Sequence, residues 1–224
     1  MAYSTGQQAI FENRQDAGRQ LAAKLYEYRD QSAVVLAIPN GGVPVALEVA
    51  SAIDADLDLI ICRKMPLLVT PEGNLGAIAD DGTIILNEEA AKRMDLSQQQ
   101  IAHEASKIRA EIKQQSILYK ANRLLVRIND RTVIIVDDGL ASGFTMMAAV
   151  ESVRHRRAKE VVIAVPVASA TAVRKLKQVA VKVVTCTTDF RPKFYVSDFY
   201  RDWHDLSDDE VIQYLRQWRM RRFR

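Results

Sequence analysis

Four consecutive β-branched residues, Val133-Ile134-Ile135-Val136, run straight into two carboxylates, Asp137-Asp138, and then into a turn of mostly small residues, Gly139-Leu140-Ala141-Ser142-Gly143. The apolar run reads as a fully buried strand. An amphipathic helix is expected from Thr145 onward. Strand, tight turn and helix in that order constrain the fold strongly, because a buried strand feeding a helix is half of a βαβ unit. The order also has a chemical use. A helix N-terminus offers unpaired backbone N–H groups and a partial positive charge, which together favour a phosphate. Ser142 and Thr145 add hydroxyl donors, and Gly139 and Gly143 let the backbone approach a ligand. The carboxylates fall at the C-terminal edge of the strand, where open α/β sheets bind ligands. There they can accept hydrogen bonds from vicinal sugar hydroxyls. The stretch suits a ribose 5-phosphate, while the plainer reading is a βα turn with a solvated acidic pair.

The rest of the chain repeats the alternation. A helix is expected after Asp16 with apolar points at Ala17, Leu21, Ala22, Leu25 and Tyr28, then a strand over Ala33–Ile38 and a helix from Pro44 to Ile53. A second strand is expected over Leu57–Cys62. Lys64 to Asn87 is less regular, and Asp80-Asp81-Gly82-Thr83 marks a hairpin turn within it. Ser97 and Gln100 form a capping box before a long polar helix that reaches Lys120. Strand Thr132–Val136, helix Thr145–Arg156, strand Val161–Val165, helix Ser169–Val179 and strand Val181–Cys186 follow. Repeated βα units predict an α/β fold: a parallel sheet with helices on both faces and right-handed crossovers.

At 224 residues the chain can bury one full core with a small appended lobe, and it is read as a single domain over residues 1–224. A net charge of +3 is too small to demand nucleic acid as partner. No apolar run approaches the length of a membrane span, and Met1 to Arg14 lacks a signal-peptide pattern, so a cytoplasmic protein is expected. Cys62 and Cys186 sit among aliphatic neighbours and read as small buried hydrophobes. Three scattered histidines and no paired Cys/His spacing argue against a zinc site made by the protein alone.

The segment Val133–Thr145 resembles the binding motif of the type I phosphoribosyltransferases: hydrophobic strand, two acidic residues, small-residue loop, Gly-x-Thr. The likeness extends from about Phe11 to the C-terminal helix. It implies phosphoribosyl pyrophosphate (PRPP) as substrate, with Asp137 and Asp138 on the ribose 2′- and 3′-hydroxyls. Gly139, Ala141, Ser142, Gly143, Phe144 and Thr145 would then surround the 5-phosphate. It also implies Mg²⁺, held mostly by PRPP and water with Asp137 and Asp138 as the available carboxylates. The first strand leads into Pro39-Asn40-Gly41-Gly42, an ordinary tight turn or, by the resemblance, the pyrophosphate loop. Many relatives carry Arg where Asn40 stands, and Asn donates hydrogen bonds without charge.

Arg63 and Lys64 follow the second strand and can neutralise a departing pyrophosphate, or are a solvated pair. The resemblance places a mobile catalytic lid at about residues 65–86, with Glu72 the residue in it best suited to proton transfer. A C-terminal hood and helix cover about residues 187–224. Phe199, Tyr200 and Trp203 are the acceptor-pocket candidates there, against a plain hydrophobic cluster. Beyond them, Ser207 and Glu210 form another capping box, and Arg216 to Arg224 is either a contact for RNA or acidic lipid or a solvated helix end. The long helix from Gln98 carries a narrow stripe at Ile101, Ala105, Ile108, Ile112 and Leu118 that packs on the domain or on a second subunit; a homodimer is expected.

Two functions are consistent with these residues: a Mg²⁺-dependent phosphoribosyltransferase acting on a nitrogen acceptor, and a regulator that senses PRPP or a nucleotide without turnover. Phosphoribosyltransferases for 6-oxopurines place an Asp at the position of Ala141. A methyl group handles no proton, so the acceptor is expected not to be a 6-oxopurine.

Overall fold

The computed structural model describes residues 9–67, 70–120, 126–179 and 182–222 of the chain. In chain order the elements are α1 (Arg14–Ala23), β1 (Val34–Ala37), α2 (Gly42–Ala52), β2 (Asp56–Leu59), β3 (Cys62–Leu67), β4 (Thr70–Ala79) and β5 (Ile84–Leu86). After these come α3 (Glu88–Arg93), α4 (Gln98–Lys120), β6 (Thr132–Val136), α5 (Phe144–His155), β7 (Glu160–Ser169), α6 (Ala170–Gln178), β8 (Lys182–Asp189) and α7 (Asp208–Arg222). A parallel five-stranded sheet runs β2-β1-β6-β7-β8, and an antiparallel sheet runs β3-β4-β5. The expected α/β sheet with helices on both faces is what the chain forms. Val181 and Arg224 lie outside the described residues.

Alternation along β1 divides the core. Val35 and Ala37 face one side with residues of α1, α2, α4 and α7, while Val34 and Leu36 face the other with residues of α5 and α6. Both faces are covered, so the parallel strands carry continuous apolar runs. Chain connections leave β1 toward β2 on one side and β6 toward β7 on the other. That reversal opens a crevice at the C-terminal ends of β1 and β6, the usual ligand position in such sheets.

The second sheet departs from the sequence-based expectation. The strand expected over Leu57–Cys62 ends at Leu59, because its partner β1 ends at Ala37, paired with Leu59, and then turns away into the Pro39 loop. Cys62 instead opens β3. The stretch expected to be irregular is an ordered antiparallel ribbon, with Pro66 at a shift in register, a position a strand tolerates. No period-2 signal marked its central strand because residues there are buried on both faces: Leu75 and Ile78 pack into one core cluster, Ala77 and Ala79 into the other. The expected turn is present, with Gly82 N donating to Ala79 O at 2.9 Å. On α4 the stripe at Ala105, Ile108 and Ile112 is buried against the domain, while Ile117 and Leu118 are exposed. Among the described residues both cysteines are free thiols, and burial pushes the Cys186 thiol up to about 11. No helix is long and apolar enough to cross a membrane among the described residues.

Candidate functional site

The crevice between β1 and β6 opens into a cavity of about 450 Å³ walled by both strand-end loops, by β3 and by the segment that precedes α7. Its floor is the acidic pair. Asp137 Oδ1 accepts the Asp138 amide at 2.9 Å, and burial together with the neighbouring Asp138 pushes the Asp137 carboxyl well above its ordinary range. Burial raises Asp138 as well, opposed by Arg14, whose Nε donates to Asp138 Oδ2 at 2.9 Å.

Above the pair, Leu140 is fastened to β7, its N–H donating to Val167 O and its carbonyl accepting from Ser169 N, both at 2.9 Å. Ser169 Oγ also donates to Ala141 O at 2.7 Å. Held at that anchor, the chain turns through Gly143 at φ +86°, a left-handed conformation that a side chain resists, and enters α5. The turn leaves Thr145 Oγ1 buried without a hydrogen-bond partner beside the cavity. Buried hydroxyls are rarely unpaired in folded proteins, so this one points to a ligand atom. Ser142 Oγ accepts from Asn74 Nδ2 at 3.2 Å, which joins the loop to β4. Gly139, Ala141, Ser142, Gly143 and Thr145 all line the cavity. Phe144 does not: its ring turns toward Lys175, whose Nζ lies 4.7 Å from the ring centroid.

On the opposite wall the Pro39–Gly42 loop packs directly on the acidic pair. A Cβ at Gly41 would meet Asp138 Oδ2 at 1.9 Å, so a side chain there would force the loop or Asp138 to shift. Of the loop's amides, that of Gly42 is taken up, donating to Ile38 O at 3.1 Å. Asn40 and Gly41 line the cavity, yet the Asn40 side chain is taken up elsewhere. Its Nδ2 donates to Leu206 O at 2.7 Å and its Oδ1 accepts from Tyr119 Oη at 3.0 Å. Asp208 Oδ1 lies against the same hydroxyl, so the single Tyr119 proton is shared between the two acceptors. Asn40 therefore ties the loop to the start of α7.

Arg63 and Lys64 line the same wall from β3, Arg63 steadied by a 3.0 Å bond from its Nε to Gln115 Oε1. Glu72 falls within β4, and its side chain lies outside what the structure describes. Of the three aromatic candidates Trp203 alone lines the cavity. Phe199 and Tyr200 are buried in a cluster with Phe11, Ala17 and Val167, and Tyr200 Oη donates to Asp138 O at 2.5 Å. They do not line the cavity, and each packs against the N-terminal segment. Arg14, Val196, Asp205 and Leu206 are cavity residues that sequence reasoning missed. A signal for Arg14 existed: it lies three residues before Ala17 and seven before Leu21, on the apolar stripe of α1. No group of three or more His, Cys, Asp or Glu able to hold a metal occurs among the described residues.

The chain is similar to known proteins in sequence and in fold. The sequence model of the phosphoribosyl transferase domain matches residues 78–197. Over 206 residues, 92% of this chain, the sequence is 36% identical to a Mycobacterium tuberculosis protein named "Putative phosphoribosyl transferase Rv0571c". The chain spans 46% of that relative, about half its length. The crystal structure of TT1426 from Thermus thermophilus is similar at a TM-score of 0.77 and 34% identity, covering 93% of this chain and 98% of that one. The structure of AQ2163 protein from Aquifex aeolicus, at 11% identity and a TM-score of 0.51, covers 83% of this chain and 84% of its own, and shares the fold alone.

Proposed function

The chain belongs to the phosphoribosyl transferase domain family, and we propose that it transfers ribose 5-phosphate from PRPP to a nitrogen acceptor with release of pyrophosphate. The observation that carries the reading is the buried, unpartnered Thr145 hydroxyl above a carboxylate pair, in one cavity with Arg63 and Lys64. In this reading the 5-phosphate sits at the N-terminus of α5, taking donors from Ser142, Thr145 and the loop amides. The ribose hydroxyls donate to Asp137 and Asp138. That places C1′ between the acidic pair and the two cations. As the acceptor nitrogen forms its bond to C1′, the bond from C1′ to the pyrophosphate oxygen breaks, and its electron pair leaves with pyrophosphate. Arg63 and Lys64 offset the growing negative charge. The acceptor nitrogen loses its proton, with Glu72 the candidate to receive it.

Mg²⁺ fits the donor set, because a hard cation that keeps several waters needs only one or two protein carboxylates beside phosphate oxygens. When bound it would neutralise pyrophosphate charge, with Asp137 and Asp138 the protein oxygens at hand. Ala141 brings no acid or base to the loop, which argues against 6-oxopurine acceptors.

A second reading, a PRPP-sensing regulator without turnover, is favoured by Asn40, whose amide is engaged by the hood. The test is pyrophosphate release from PRPP and Mg²⁺ with adenine, uracil, orotate, hypoxanthine, guanine and small amines. Release is expected with an acceptor other than hypoxanthine or guanine. Efficient turnover of either would refute the inference from Ala141, and PRPP binding without release on any acceptor would favour the regulator.

A further inference from the structure

Arg14 stands in the cavity wall outside the matched residues 78–197, and the chemistry above gives it no part. It is only 5% exposed, and a buried cation requires compensation from its surroundings. Its contacts are specific. Nε donates to Asp138 Oδ2 at 2.9 Å, Nη1 donates to His204 O at 2.9 Å, and the guanidinium carbon lies 3.8 Å from the centroid of the Trp203 ring. A planar fork makes all three contacts at once, and a lysine ammonium does not.

Neighbouring contacts fix its place. Asn13 caps α1, its side chain accepting from Asp16 N at 2.9 Å. Just before it, Phe11 O accepts from Arg201 N at 2.9 Å and Glu12 O accepts from Asp202 N at 2.8 Å, so the N-terminal segment is laced to the hood. The acidic pair needs such a partner. Asp137 and Asp138 are adjacent and half-buried, Lys64 acts on Asp137, and Tyr200 bonds the Asp138 carbonyl and not its carboxylate.

We propose that Arg14 is a positioning residue for the ribose-binding pair, holding the Asp138 carboxylate and the Trp203 wall in one arrangement; this rests on the reading of the cavity as a PRPP site. By engaging Oδ2, Arg14 presents Oδ1 of Asp138 to a ligand hydroxyl. The carboxylate also packs against Gly41, where an added Cβ would meet Oδ2 at 1.9 Å. The guanidinium stacks on one face of the Trp203 ring.

The test is calorimetric titration of the full chain with Mg²⁺–PRPP and, separately, with metal-free pyrophosphate, which brings Asp138 neither a ribose nor a Mg²⁺ ion. Arg14→Ala and Arg14→Gln are expected to weaken PRPP on the order of 30-fold, as loss of a charge-assisted hydrogen bond does, and to leave pyrophosphate binding unchanged. Arg14→Lys, which keeps the charge and loses the fork, is expected between them and wild type. Melting curves of each variant report folding separately. Wild-type PRPP affinity in Arg14→Gln overturns the role, and so does an equal weakening of both ligands, which would make Arg14 a prop for the cavity as a whole. A wild-type chain that binds no PRPP overturns the PRPP reading itself and the role with it.

Discussion

Gly41 is the tightest point of the cavity, and its hydrogen is all that separates the loop after β1 from the Asp138 carboxylate. Gly41→Ala forces a carbon into a gap that does not exist, so either the loop or Asp138 must move. Overpacking of this kind costs about 1–3 kcal/mol. The expected outcome is a lower melting temperature together with lost PRPP affinity. A Gly41→Ala protein that melts and binds like wild type would show the contact to be soft. The need for glycine was legible in the doubled Gly41-Gly42, although the reason was not. Sequence suggested amides open to an anion; the structure instead shows a close approach of loop to carboxylate. Asn40 illustrates the same limit. Its polarity was evident, but its partners, Leu206, Tyr119 and Asp208, lie far along the chain. No local pattern encodes such pairings.

At the level of elements, α7 shows how a local signal survives folding. Ser207 and Glu210 form the expected capping box, the Glu210 carboxylate accepting from Ser207 N and Ser207 Oγ, each at 2.8 Å, and pairing with His204 at 2.8 Å. The Ser207 N–H, then His204, hold the Glu210 carboxyl down at about 2 against an ordinary 4.5. A depressed carboxyl adds stability that is complete above its unfolded value and disappears as pH falls through the folded one. Glu210→Gln should therefore melt below wild type at neutral pH, and the gap should close between pH 4.5 and about 2. Melting temperatures of the two proteins across that window check the sign; a gap that stays constant to the acid end would mean that the carboxylate charge is irrelevant. The β3–β4–β5 ribbon is the contrary case. Its prolines and glycines imitate a loop, while Leu75–Ala79 of its central strand pack into both core clusters.

For the molecule as a whole, ligand and stability are linked. At a hundred times its dissociation constant, Mg²⁺–PRPP should stabilise the fold by about 2.7 kcal/mol, raising the melting temperature by roughly 5–10 °C for a chain of this size. Asp137→Asn with Asp138→Asn should remove that shift. The same double variant should not destabilise the apo protein through Asp137, because burial and its neighbour already disfavour the Asp137 charge there. It does leave Arg14 facing a neutral partner, so the apo stability reports the balance of the two effects. A ligand shift of wild-type size in the double variant would place PRPP elsewhere on the molecule.

The sequence by itself determined the parallel sheet, the small-residue turn from β6 into α5 and the acidic pair, because each is written in a contiguous run whose periodicity and turn chemistry are local. Tertiary structure alone decided which aromatic residue faces the cavity and which two pack against the N-terminal segment. It also decided that Asn40 bonds to the hood and that Arg14 meets Asp138 across 124 positions of chain. Those outcomes depend on which elements the folded core brings into contact, and that is a property of the whole packing.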